Sequence, residues 1–131
     1  MKIIKLADAN DETGHGYKVL KWAEGVKHSV RGGGYDLCSD GWIHGYEHSL
    51  VAVFMTNVHG NYDLNAAHMW VAETGRTVKR DGQQKLGCKT LTTIERMELP
   101  TLTTEQRVEV AIRISLLVYK EALYAAWAEN W

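Results

Sequence analysis

The sequence predicts an α+β domain, a mostly antiparallel sheet packed by a short central helix and a long C-terminal helix, with residues 1–131 forming a single domain. Three observations carry this reading. Residues 89–99 alternate as a strand, two strand-like runs separated by a glycine turn precede them, and beyond Pro100 apolar residues recur at helical spacing.

Residues 1–7, with Ile3, Ile4 and Leu6 between lysines, fit a first strand, and residues 8–16 follow with turn-forming Asn, Asp, Thr and Gly. Residues 17–22 alternate, which predicts a β-hairpin. Gly32, Gly33 and Gly34 make a loop without the spacing or the Lys-Ser/Thr ending of a phosphate-binding motif. Residues 47–57 hold a dense apolar block read as the central helix, and residues 58–65 are polar and read as a loop. Residues 68–73, 77–80 and 89–99 read as three strands of an antiparallel meander, turning at Thr74-Gly75-Arg76 and at Asp81-Gly82. Pro100 ends that sheet. Thr103 and Gln106 fit a capping box that opens a helix from Thr104 to about Trp127, with Glu109 and Arg113 as an i,i+4 pair. Its apolar arc is wide enough to pack on a sheet and also meet a second surface, so a homo-oligomer through this helix is an alternative expectation.

Composition narrows the function classes. Fifteen basic against sixteen acidic residues give a net charge of -1, without the Lys/Arg run that nucleic-acid binding needs. The longest apolar run, residues 50–55, is far below the ~20 residues of a membrane helix. Residues 1–10 hold only the short apolar pieces Ile3-Ile4 and Leu6-Ala7, so the expectation is a cytoplasmic protein in which Cys38 and Cys88 are free thiols.

Reactive side chains crowd into residues 37–48, LCSDGWIHGYEH. His44, Glu47 and His48 match the H-x-x-E-H pattern in which two imidazoles one helical turn apart bind zinc and the glutamate activates water. Gly45 weakens the helix this spacing needs, and no downstream ligand stands out among Glu95, Glu98 and Glu121. A non-peptidase zinc site would draw on Cys38, His44 and His48, with Cys88, His59 or His68. Cys38 with His44 could instead be nucleophile and base, with Glu73 beside them, while Trp42 and Trp70 could line a ligand pocket. Against these stands a plain structural role: Cys38 a small buried hydrophobe, Trp42 and Ile43 anchors of a turn, His44 bonded to backbone. The expectation is therefore no resident cofactor, and a protein that is more a binder than an enzyme.

The segments LCSDGWIHG, HMWVAETGRTV, DGQQKLGCKTLTTIERMELP and LTTEQRVEVAIRISLLVY occur in an order that resembles a family of small phage and prophage proteins of unknown function. In that family a Cys-x-x-Gly-apolar-His segment precedes a helix. Cys38, Gly41 and His44 match it, with Trp42-Ile43 one residue longer than usual. Trp70 and Glu73 match an aromatic-and-glutamate strand that leads into Gly75 and a turn containing Lys85. The resemblance implies a phage accessory protein in a bacterial host cell, acting by binding a host protein in anti-defence or host takeover; it implies no reaction.

Overall fold

The computed structural model describes residues 1–14 and 19–131. Part of the expected strand over 17–22, and the end of the turn over 8–16, lie outside the described residues. The chain divides into two compact units, Met1–Pro100 and Thr101–Trp131.

The first unit is α+β. Its main sheet is antiparallel, with β1 (Lys2–Ala7), β6 (His68–Thr74), β9 (Thr90–Met97) and β4 (Lys27–Ser29) in that spatial order. A second sheet holds β5 (Ile43–Gly45), β8 (Lys85–Cys88) and β7 (Val78–Asp81), while β2 (Glu12–Thr13) and β3 (Leu20–Lys21) form a small ribbon. Ile4 and Tyr46 exchange backbone hydrogen bonds of 2.7 and 2.9 Å, which ties the outer edge of β1 to the segment leaving β5. The helix α1 (Ser49–His59) follows, close to the expected span, and also packs near β1.

β1 is covered along one face and, where Leu6 is buried, at the end of the other. Ile3, Lys5 and Ala7 point to one face, and all three are buried. Ile3 and Ala7 join the central cluster with Trp22, Ile43, Trp70, Ala72, Leu86, Cys88 and Leu91. Burying such side chains stabilises by roughly 25 cal/mol per Å² of apolar surface, so this cluster is the main adhesive of the unit. A lysine in that row is the exception to the pattern.

The expected meander is corrected. β6 pairs with β9 rather than with β7, and the hairpin β7–β8 leaves the main sheet to pair with β5. The turn at Asp81-Gly82, where Gly82 has φ +52, joins β7 to β8, and β8 itself is a strand that the alternation of its residues does not announce. Where Val71 and Ala72 pair with Glu95 and Thr93, Ile94 is left as the extra residue of a bulge on β9. The alternation expected over residues 91–97 therefore holds for Leu91 and Thr93, both fully buried, and breaks after them.

The second unit holds α2 (Thr104–Val118) and α3 (Ala122–Asn130), where a single helix to about Trp127 was expected. The capping box at Thr103 and Gln106 is present, and Arg113 Nε donates to Glu109 at 2.8 Å. No Gly or Pro breaks the helix. Instead the Glu121 carboxylate accepts from Tyr124 N at 2.9 Å and starts a new helix, while the ring of Tyr124 meets Tyr119 at 5.2 Å and its hydroxyl bonds Ser115.

Candidate functional site

The first unit contains an open-mouthed cavity of about 1200 Å³. Its floor comes from β1 through Lys5 and Leu6, one wall from residues 38–46, another from the end of α1 and the turn after it, and its rim from Arg31, Gly32 and Lys85. That turn is built by Asn61 at φ 51, whose N–H, like that of Gly60, bonds the Thr56 carbonyl. It brings Tyr62 back to the cavity, with Tyr62 N donating to Thr56 Oγ1 at 3.2 Å.

Lys5 is the unusual group. Its side chain lies among apolar residues with 6 % of the residue exposed, and Nζ donates to the His44 carbonyl at 2.9 Å and sits 5.4 Å from the Trp22 ring. Among the described residues no carboxylate pairs with it. Burial pushes its pKa down to about 8, because an ammonium without a counter-charge is disfavoured away from water. Cys88 lies nearby, fully buried, and burial pushes its thiol up to about 11, so it stays protonated and donates to Ile43 O.

The imidazoles sense the same field. His44 is lowered first by burial, then by the charges of Lys5 and Lys85, against a raising contact with the Leu37 carbonyl. His59 is lowered by burial and by Lys85; its Nδ1 lies 3.3 Å from the hydroxyl of Tyr46, whose rings stack at 5.9 Å and whose pKa burial pushes up to about 12. Lys85 Nζ reaches Cys38 Sγ at 2.8 Å. The acidic groups of the wall have partners: Asp8 accepts from the backbone of Asn10 and Glu12, Glu12 lies 3.8 Å from Lys21, and Asp40 accepts from Gly34 N. The cavity lining thus balances three cations, Lys5, Arg31 and Lys85, against three carboxylates, Asp8, Glu12 and Asp40, around the imidazoles of His44 and His59.

The expected site residues divide. Cys38, Trp42 and His44 line the cavity, Cys38 exposed and His44 half-buried. Glu47, His48 and Glu73 do not. Glu47 accepts from Arg80 Nε at 2.8 Å, His48 is an exposed N-cap of α1 making no side-chain cap bond, and Glu73 is exposed on β6 opposite Lys2. The H-x-x-E-H pattern falls on a strand, a bridge and a helix start, so the helical spacing behind the zinc-peptidase reading is absent, as Gly45 foreshadowed. Among the described residues no three His, Cys, Asp or Glu side chains gather as metal ligands. Trp70 is a core residue, bonded through Nε1 to Asp11 and covered by Arg96. The groups that sequence reading missed are Lys5, Tyr46, Tyr62 and Lys85; the available signal was Lys5 standing between Ile4 and Leu6 in a strand-like run.

No protein-family model matches the chain, and no curated protein or solved structure matches it.

Proposed function

We propose that the protein is a small phage-encoded accessory protein that acts by binding a host protein, with the second unit as its contact surface. One observation supports this. Ile114, Leu117 and Val118 on α2 are 54, 74 and 84 % exposed, and Leu123, Trp127 and Trp131 on and after α3 are 81, 52 and 54 % exposed. Both sets sit at three- and four-residue steps, so each helix carries an apolar stripe. Large apolar side chains concentrated in this way mark protein-binding surfaces, and tryptophan is enriched among residues that dominate binding energy.

The test compares the full chain with Leu117→Lys and Leu123→Lys in pull-downs from bacterial lysate, with sedimentation in parallel. A stoichiometric bacterial protein retained by the wild type and lost from folded variants supports the reading. Self-association abolished by the same substitutions would replace the host partner with a second copy, and an inert monomer would overturn both.

A second reading is supported by the cavity of the first unit: a small-molecule site using Cys38, His44 and the cations around them. Lys85 Nζ, 2.8 Å from Cys38 Sγ, offers a carboxylate a contact beside the thiol. Saturable slowing of Cys38 alkylation by a small carboxylate tests it.

A further inference from the structure

Residues 35–42 are held by lysines of the β7–β8 hairpin and the residue that follows it. Lys79 Nζ donates to the Tyr35 carbonyl at 2.9 Å, Lys89 Nζ donates to the Gly41 carbonyl at 2.6 Å, and Lys85 Nζ lies 2.8 Å from Cys38 Sγ. The first two are charge-assisted bonds to backbone oxygen. The third is of another kind, because its separation is shorter than the usual N–H···O bond of about 2.9–3.0 Å although sulfur is the larger atom. It sets a nitrogen against the exposed thiol, and a solvent-accessible thiol is the kind that peroxides oxidise to sulfenic acid. In many proteins a second cysteine then closes a disulfide. Here the other cysteine, Cys88, is fully buried and donates to Ile43 O, so the group in reach of an oxidised Cys38 is Lys85.

We propose that Cys38 and Lys85 form a redox-dependent crosslink: a hydroperoxide oxidises Cys38, and Lys85 Nζ then closes an S–N bond that fastens residues 35–42 to the β7–β8 hairpin. In the first step the sulfur attacks one peroxide oxygen and the O–O bond breaks. Sulfur is oxidised to the sulfenic acid and the peroxide is reduced to an alcohol, or to water where it is hydrogen peroxide, which takes up the thiol hydrogen. In the second step Nζ, having given its ammonium proton to solvent, attacks the sulfenic sulfur through its lone pair. The S–O bond breaks, and the hydroxyl leaves as water with one amine hydrogen. The product is a sulfenamide, and the hydroperoxide is the one oxidant consumed. Thiol reductants reverse it, returning Cys38 and Lys85 and becoming a disulfide themselves. Both residues line the cavity, so the link would fix one wall to the rim and remove a positive charge from the lining.

The experiment treats the full-length protein with hydrogen peroxide and follows it by intact mass and peptide mapping. The expected product is monomeric, lighter than the reduced chain by two hydrogens, and yields a peptide pair joined between Cys38 and Lys85 that dithiothreitol separates. Because the link joins positions 47 residues apart, it restricts the unfolded chain as a disulfide does, and the urea midpoint should rise on oxidation and return on reduction. Lys85→Arg, checked for folding by circular dichroism, keeps the charge and lacks the amine; it should give instead a Cys38 sulfenic acid that dimedone traps. Cys38→Ser should give neither product. In the wild type, a dimedone adduct or a sulfinic acid at Cys38 without a link to Lys85, or a disulfide through Cys38, overturns the proposal.

Discussion

The indole of Trp70 donates its Nε1 proton to the Asp11 carboxylate at 2.9 Å, joining a buried core side chain to a turn 59 residues away. The same carboxylate takes His68 Nδ1 at 2.9 Å and a guanidinium nitrogen of Arg96. Asp11 stands at φ 61, a left-handed conformation that Asp and Asn tolerate better than most residues. Asp11→Ala should therefore cost about 2–4 kcal/mol, because it orphans a buried indole N–H and adds backbone strain. Asp11→Asn, which keeps the turn and an acceptor, should cost less than half as much. Urea denaturation of the two variants checks the ordering.

Stability should vary with pH in a way traceable to Lys5. Its folded pKa of about 8 lies below the ordinary 10.5, so between these values the unfolded chain binds the extra proton and stability rises with pH. Cys88, held up to about 11 against an ordinary 9.0, and Tyr46, held up to about 12 against 10.0, act oppositely above pH 9 and pH 10. The net expectation is a rise from pH 8 to 9, flattening above 9, and a fall beyond 10. Lys5→Met should abolish the rise and stabilise the protein at neutral pH by on the order of 2–3 kcal/mol, less the lost bond to His44 O. Urea midpoints at half-unit pH steps read this directly.

At the acid side the lowered His44 and His59 act together. Each contributes stability present in full above about 6.5 and lost as pH falls through that value toward the folded pKa, since the unfolded chain then takes up the protons first. His44→Gln should make the decline between pH 6.5 and 5 shallower, measured by thermal unfolding.

The two thiols should separate cleanly. Cys38 is exposed and Cys88 is fully buried. A chromogenic disulfide reagent should titrate one thiol in the native protein and two in urea, and Cys38→Ser should leave none reactive before unfolding.

Thr103→Ala should remove half of the capping box and cost the start of α2 about 1 kcal/mol. Faster amide exchange in the first turn, with α3 unchanged, is the expected readout.

What was legible in the sequence was whatever obeyed a single period. The start of β9, α1 and the cap of α2 follow from alternation, an apolar block and a Thr-x-x-Gln signal, and β1 from a short apolar run between lysines. β8 did not, because its KLGC run has no alternating polar face: Leu86, Gly87 and Cys88 are all buried. Gly87 is there because Leu37 and Trp42 press on it, and a Cβ would fall 2.5 Å from Leu37 Cδ1 and 2.8 Å from Trp42 Cβ. That contact is between elements far apart in the chain, which no local pattern reports. Within residues 37–48 the reactive types were visible, but their directions were not. Cys38 and His44 turn to the cavity while Glu47 turns to Arg80. Lys5, the most unusual group of the site, was not legible because Lys2 and Lys5 fall on opposite faces of β1 and the run around them does not say which face is covered.

The pairing of β1 with β6 also sets a timetable for synthesis. Lys2 lies opposite Glu73, so during synthesis β1 waits for its main-sheet partner until β6, about 70 residues later, has been made. At about 5–20 residues per second that is several seconds of waiting with Ile3, Ile4 and Leu6 uncovered. The nascent chain is then open to chaperones, and a slow, late closure of β1 onto β6 is the step that completes the floor of the cavity.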